Sequence, residues 1–81
     1  MGTVRQLLDT GGQQLTYLFA DPVTRHAALI DPTPGNRMAI ERLLRGLGLQ
    51  LDYVVASHRH HAQWTEGEYF RTATGARLAL H

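Results

Sequence analysis

The sequence predicts an α/β fold with one mixed β-sheet and two helices, in the order β-β-β-α-β-α-β. Three observations lead there. The first 30 residues hold three short apolar or alternating runs broken by turn residues. The period then lengthens, with Met38, Ile40, Leu43, Leu44 and Leu47 recurring at helical spacing. Two further apolar runs follow, each preceded by a helix-forming stretch long enough to cross over between parallel strands.

Val4 to Leu8 is predicted as a strand, followed by a turn at Asp9-Thr10-Gly11-Gly12. Gln14 to Ala20 alternates, with Leu15, Tyr17 and Phe19 on one face against Thr16 and Leu18 on the other. Asp21-Pro22 turns the chain in a loop that extends to Arg25. His26 to Ile30 is almost wholly apolar, so a strand buried on both faces is expected there. Asp31-Pro32-Thr33-Pro34-Gly35 breaks it. Asn36 is placed to cap the first helix, and Gly48 to end it in a left-handed conformation. Leu51 to Ala56 forms the fourth strand. Glu66 to Thr74 forms a short helix stopped by Gly75, with Tyr69 and Phe70 packing it on the sheet, and Ala76 to Leu80 is the last strand.

The chain of 81 residues makes one small domain, residues 1–81, with a core that can supply only a few kcal/mol unless a metal or oligomerisation assists. It has no cysteine, which excludes disulfides, thiolate ligands and cysteine nucleophiles. Ser57 next to His58 lacks the setting of a catalytic serine, and Gly11-Gly12 lacks the rest of a phosphate loop. All eight basic residues are arginine, scattered and interleaved with acids, so no nucleic-acid partner is expected. No apolar run reaches membrane-spanning length, so no membrane partner is expected either, and the cytoplasm is the default location.

Chemistry concentrates in Ser57-His58-Arg59-His60-His61-Ala62-Gln63-Trp64, directly after the fourth strand. A strand ending in His-x-His can turn both imidazoles to one side, and two nitrogen ligands make half of a typical zinc or iron site. The alternative is an exposed loop of histidine and arginine. His61 points away from His60 if the backbone stays extended. His81 and Asp31 both end strands on the edge where open α/β sheets place their sites. His26 starts a strand at the opposite edge and reads as structural. Trp64 reads as a core or interface anchor.

The segments Gln14 to Pro22, Ala27 to Pro32, Leu51 to His60 and Thr74 to Arg77, in this order and spacing, resemble the N-terminal part of the metallo-β-lactamase superfamily. The branch they are most similar to holds glyoxalase II and the persulfide dioxygenases. That resemblance implies half of an αββα sandwich, in which two sheets pack face to face. It implies a T-H-x-H-x-D-H motif whose first residues fall on Ser57, His58 and His60, making His58 and His60 the metal ligands. The motif aspartate falls on Ala62 and its last histidine on Gln63, so a dinuclear hydrolase site is not expected. His61, His81 and Asp31 remain as additional donors or as residues that support the ligands.

Three readings follow. In the first, the chain is a half-domain with a degraded His-x-His site, non-catalytic on its own, holding at most one weakly bound zinc or iron ion. Such a half-domain is expected to form a homodimer through a sheet face including Leu15, Tyr17, Phe19, Leu29 and Val54 or Val55. In the second, it is a metal-dependent hydrolase or persulfide dioxygenase completed by a second chain or a missing C-terminal part. In the third, it binds a small thiol or anion through Arg59 and the neighbouring histidines.

Overall fold

The computed structural model describes the backbone of residues 3–8, 15–56 and 61–80, and the side chains of 15–56 and 64–79. Strands β1 (Thr3–Leu8), β2 (Leu15–Ala20), β3 (His26–Ile30), β4 (Gln50–Ala56) and β5 (Arg77–Leu80) form one sheet whose spatial order is chain order. β1, β2 and β3 pair antiparallel, while β3, β4 and β5 pair parallel. Helix α1 (Arg37–Gly46) links β3 to β4, and α2 (His61–Thr74) links β4 to β5. The mixed sheet and element order therefore match the sequence reading. The main difference is α2, which starts at His61 rather than Glu66.

Topology decides which face of the sheet is covered. A crossover between parallel strands is right-handed, and here both crossovers step in the same direction across the sheet. Two right-handed steps in one direction put both helices on the same side. Ile40 of α1 and Phe70 of α2 accordingly join one core with Leu18, Leu29 and Val54 from the sheet, all at most 1% exposed. Burial of each such side chain contributes about 1.5–3 kcal/mol. Among the described residues, no helix lies on the opposite face. Phe19 and Tyr53 are 40% and 50% exposed there, and Tyr17, Ala28, Ile30 and Val55 are half-buried.

Several expectations change accordingly. Leu29 and Val54 lie beneath the helices rather than on the open face, because strand alternation pairs them with Leu18. β3 is not buried on both sides: Ala27 and Leu29 face the core, and His26, Ala28 and Ile30 face away. Met38 is 66% exposed, leaving Ile40, Leu43 and Leu44 to dock α1. Asn36 makes no capping hydrogen bond from its side chain, being buried and turned toward Thr16 instead.

The stops are as expected. Gly48 and Gly75 adopt positive φ at 61° and 80° after the two helices, a conformation that suits a residue lacking Cβ. Gly67 meets a different need. A Cβ there would lie 2.8 Å from Leu78 Cδ1 and 3.3 Å from Ala56 Cβ, so glycine lets α2 approach the sheet over the end of β4.

In β4 the register slips, since Ala27 pairs with Leu51 but Ala28 pairs with Tyr53. Asp52 is the extra residue of this β-bulge. Its carboxylate meets His26 Nδ1 at 2.7 Å, which accounts for a histidine at the start of β3 in structural terms.

Candidate functional site

The C-terminal ends of the parallel strands define one edge of the sheet, and the candidate residues converge on it in sequence. Asp31 follows β3, residues 57–60 connect β4 to α2, and His81 follows β5. Ser57, His58, Arg59, His60 and His81 lie outside the described residues, as do the side chains of His61, Ala62 and Gln63. The backbone of His61 opens α2.

Asp31 is the candidate whose placement is described. Its backbone has φ 53°, a left-handed conformation that costs a non-glycine residue on the order of 1 kcal/mol. Neighbouring groups hold it there. Its amide donates to Val55 O at 2.8 Å, and its carbonyl accepts from Thr16 Oγ1 at 2.8 Å. Thr16 Oγ1 in turn accepts from Asn36 Nδ2 at 3.1 Å. Thr16 and Asn36 are 0% and 3% exposed, so these bonds are made away from competing water. The outcome is that the β3–α1 turn is pinned to β4 just ahead of the histidine segment.

The next residues continue the polar arrangement. Thr33 is 2% exposed, and its Oγ1 has no hydrogen-bond partner among the described residues. Glu66, 1% exposed on α2, accepts from Arg37 Nε at 2.8 Å and Nη2 at 2.5 Å in a bidentate pair. The Glu66 carboxylate holds the Arg37 pKa above its ordinary value. Arg37 also stacks 3.8 Å from the Tyr69 ring centroid, and Tyr69 donates its hydroxyl to Glu41 Oε2 at 2.6 Å. That bond to an anion pushes the Tyr69 pKa up, since losing the phenolic proton would set two negative oxygens together. Tyr69 therefore joins α2 to α1, while Phe70 packs on the sheet.

Chemically, the turn after β3 offers an aspartate whose backbone is held in place, and the sequence leading from β4 into α2 carries three histidines. Imidazole and carboxylate donors suit zinc or iron in kind. Among the described residues, no three histidine or acidic side chains converge on a single point. Sequence reasoning picked out Asp31 from its place after a strand. It missed Thr16, Asn36 and the Glu66–Arg37 pair. A signal for Glu66 existed, because it stands one helical turn before Phe70 and beside Gly67 on the face that approaches the sheet.

No family model matches the sequence. Individual proteins do. The chain is 37% identical over 57 residues to the mitochondrial persulfide dioxygenase ETHE1 of Bos taurus, and equally to that of Homo sapiens. The match takes in 70% of this chain and 22% of each relative, so the chain spans about a fifth of their length. Among solved structures, ETHE1 from Myxococcus xanthus superposes with a TM-score of 0.80 and 33% identity, covering 94% of this chain and 34% of that one. A metallo-β-lactamase from Staphylococcus aureus superposes with a TM-score of 0.74 at 21% identity, covering 98% of this chain and 22% of that one, and shares the fold alone. Sequence identity and backbone agreement both point to ETHE1 proteins, so the chain is similar to the N-terminal part of the metallo-β-lactamase superfamily, and within it to the persulfide dioxygenases.

Proposed function

We propose that this chain is a metallo-β-lactamase-like half-domain with a reduced His-x-His site, which does not turn over substrate by itself and associates with a second copy through its open sheet face. The observation that carries the association is the one-sided coverage of the sheet. Phe19 and Tyr53 stand exposed on a face that no helix among the described residues covers, and an apolar sheet face gains free energy when another covers it. Absence of turnover rests on Ala62 and Gln63, which stand where the family motif has aspartate and histidine. A neutral methyl group can neither hold a metal nor orient an attacking water. His58 and His60 are the proposed ligands for one weakly held zinc or iron ion, with Asp31 beside them and His61 and His81 as additional donors.

Purified protein loaded with zinc or ferrous iron tests this by metal analysis, activity assay and sedimentation. The expected result is exchangeable metal that is lost on replacing His58 and His60 together by alanine. No thioester, β-lactam or persulfide turnover is expected, and the species should be a dimer. Tightly bound metal surviving the double substitution would refute the ligand assignment, and a compact monomer at micromolar concentration would refute the association.

A second reading is favoured by the identity of 37% to persulfide dioxygenases. In that reading the chain is part of such an enzyme, and a further chain or segment completes its metal site. Turnover by the metal-loaded chain, lost on His58→Ala, would decide for it.

A further inference from the structure

We infer that Thr16 is a positioning residue for the proposed metal site, its buried hydroxyl holding the Asp31 backbone in the conformation that keeps the carboxylate in place. This rests on the metal reading given above and names a group that sets its affinity. Thr16 lies in β2 and, by strand alternation, shares the helix-covered face with Leu18. It is 0% exposed. Valine has nearly the same shape and no hydroxyl to desolvate, so packing alone would favour valine there.

The hydroxyl is accounted for by its bonds. It donates to Asp31 O at 2.8 Å and accepts from Asn36 Nδ2 at 3.1 Å. A side-chain amide nitrogen can only donate, so Asn36 leaves the Thr16 proton for the Asp31 carbonyl. Asn36 is 3% exposed, and the relay from Asn36 through Thr16 to Asp31 is therefore sheltered from competing water.

Register puts Thr16 at the point where the strand ends. Tyr17 pairs with Ile30, so Thr16 stands opposite Asp31, one step beyond the ladder between β2 and β3. There Asp31 turns to φ 53° and sends its amide to Val55 O on β4. Pro32 disfavours the right-handed helical region for the residue before it, which leaves Asp31 the extended and left-handed regions. For a residue with a Cβ the extended one is easier. The bonds at the Asp31 amide and carbonyl hold the harder one, as strained backbone requires. Glycine would take this φ without strain, so the aspartate is there for its carboxylate. Val55, the partner of its amide, stands three residues ahead of His58 in the sequence.

The test is the zinc affinity of the full chain, measured by competition with a chromophoric chelator, with thermal unfolding of each metal-free variant alongside. Thr16→Val should weaken zinc binding about tenfold, the scale on which hydrogen bonds behind a metal site act, while unfolding stays cooperative. Thr16→Ser keeps the hydroxyl and should remain within about threefold of the parent. Asn36→Ala frees the Thr16 proton to rotate and should cost about threefold, a check that holds even if Thr16→Val does not fold. Asp31→Gly keeps the backbone conformation, removes the carboxylate and should weaken binding about tenfold. Adding Thr16→Val to Asp31→Gly should then change affinity by less than about twofold, because the hydroxyl acts through that carboxylate. Unchanged affinity in Thr16→Val, Asn36→Ala or Asp31→Gly overturns the inference, as does an equal further loss in the Asp31→Gly background. Thr16 is then a structural residue only, whatever the shift in unfolding temperature. Zinc binding that is absent from the parent, or that survives replacing His58 and His60 together by alanine, overturns the metal reading itself and this inference with it.

Discussion

The two faces of this sheet have similar apolar content and opposite circumstances. On one, Leu18, Leu29, Val54 and Ala56 sit at most 1% exposed beneath two helices. On the other, no element among the described residues covers Tyr17, Phe19, Ile30, Tyr53 and Val55. The difference is topological rather than compositional. Strand order that advances in one direction sends both right-handed crossovers to the same side. Hydrophobicity alone therefore cannot tell which face is core, and substitutions that look alike in sequence should behave differently.

The largest contrast comes from placing the same charge on each face. Leu29→Asp should cost about 3–5 kcal/mol, enough to unfold a domain of this size. Phe19→Asp should leave the monomer folded and act mainly on association. Chemical denaturation followed by circular dichroism separates the two, and equal losses would remove the distinction between the faces.

Smaller effects sharpen how the covered face is fixed. Arg37→Ala strips Glu66 of its partner at a site 1% exposed, and a cost of about 2–4 kcal/mol is expected. Glu66→Gln should cost less, since Arg37 retains access to water. Denaturation midpoints of the two variants test this ordering. Gly67→Ala should cost about 1–2 kcal/mol from the contact with Leu78, in spite of alanine's better helix propensity. Thr33→Val should be nearly neutral or slightly stabilising, within about 1 kcal/mol, because the hydroxyl it removes has no partner among the described residues.

The fold was legible because its signals are periodic: alternation in β2, helical spacing through α1, and glycine at both helix stops. The identity of the faces was less so. Leu29 and Val54 share their apolar character with Ile30 and Val55, and only pairing register and crossover direction separate them. The Asp52 bulge was invisible because it depends on how two strands align. At the site, His58 and His60 stood out by type and spacing, whereas Thr16 and Asn36 did not. Their role arises from a contact across 20 residues of chain. The early start of α2 was obscured because histidine, alanine and glutamine at its first turn carry no strong capping signal.

Strand order equal to chain order also bears on the kinetics of folding. Each strand pairs with its predecessor in the chain, either directly after a few residues or across a single helix, and none waits for a distant partner. Loop-closure entropy is low at every step, and folding rate falls as contacts become less local. The chain should then refold within about a millisecond to tens of milliseconds, as mixed α/β domains of moderate contact order do. Docking of two copies would follow as a separate, slower phase whose rate rises with protein concentration. Stopped-flow refolding at several concentrations would resolve the two, because the first phase concerns one face of the sheet and the second concerns the other.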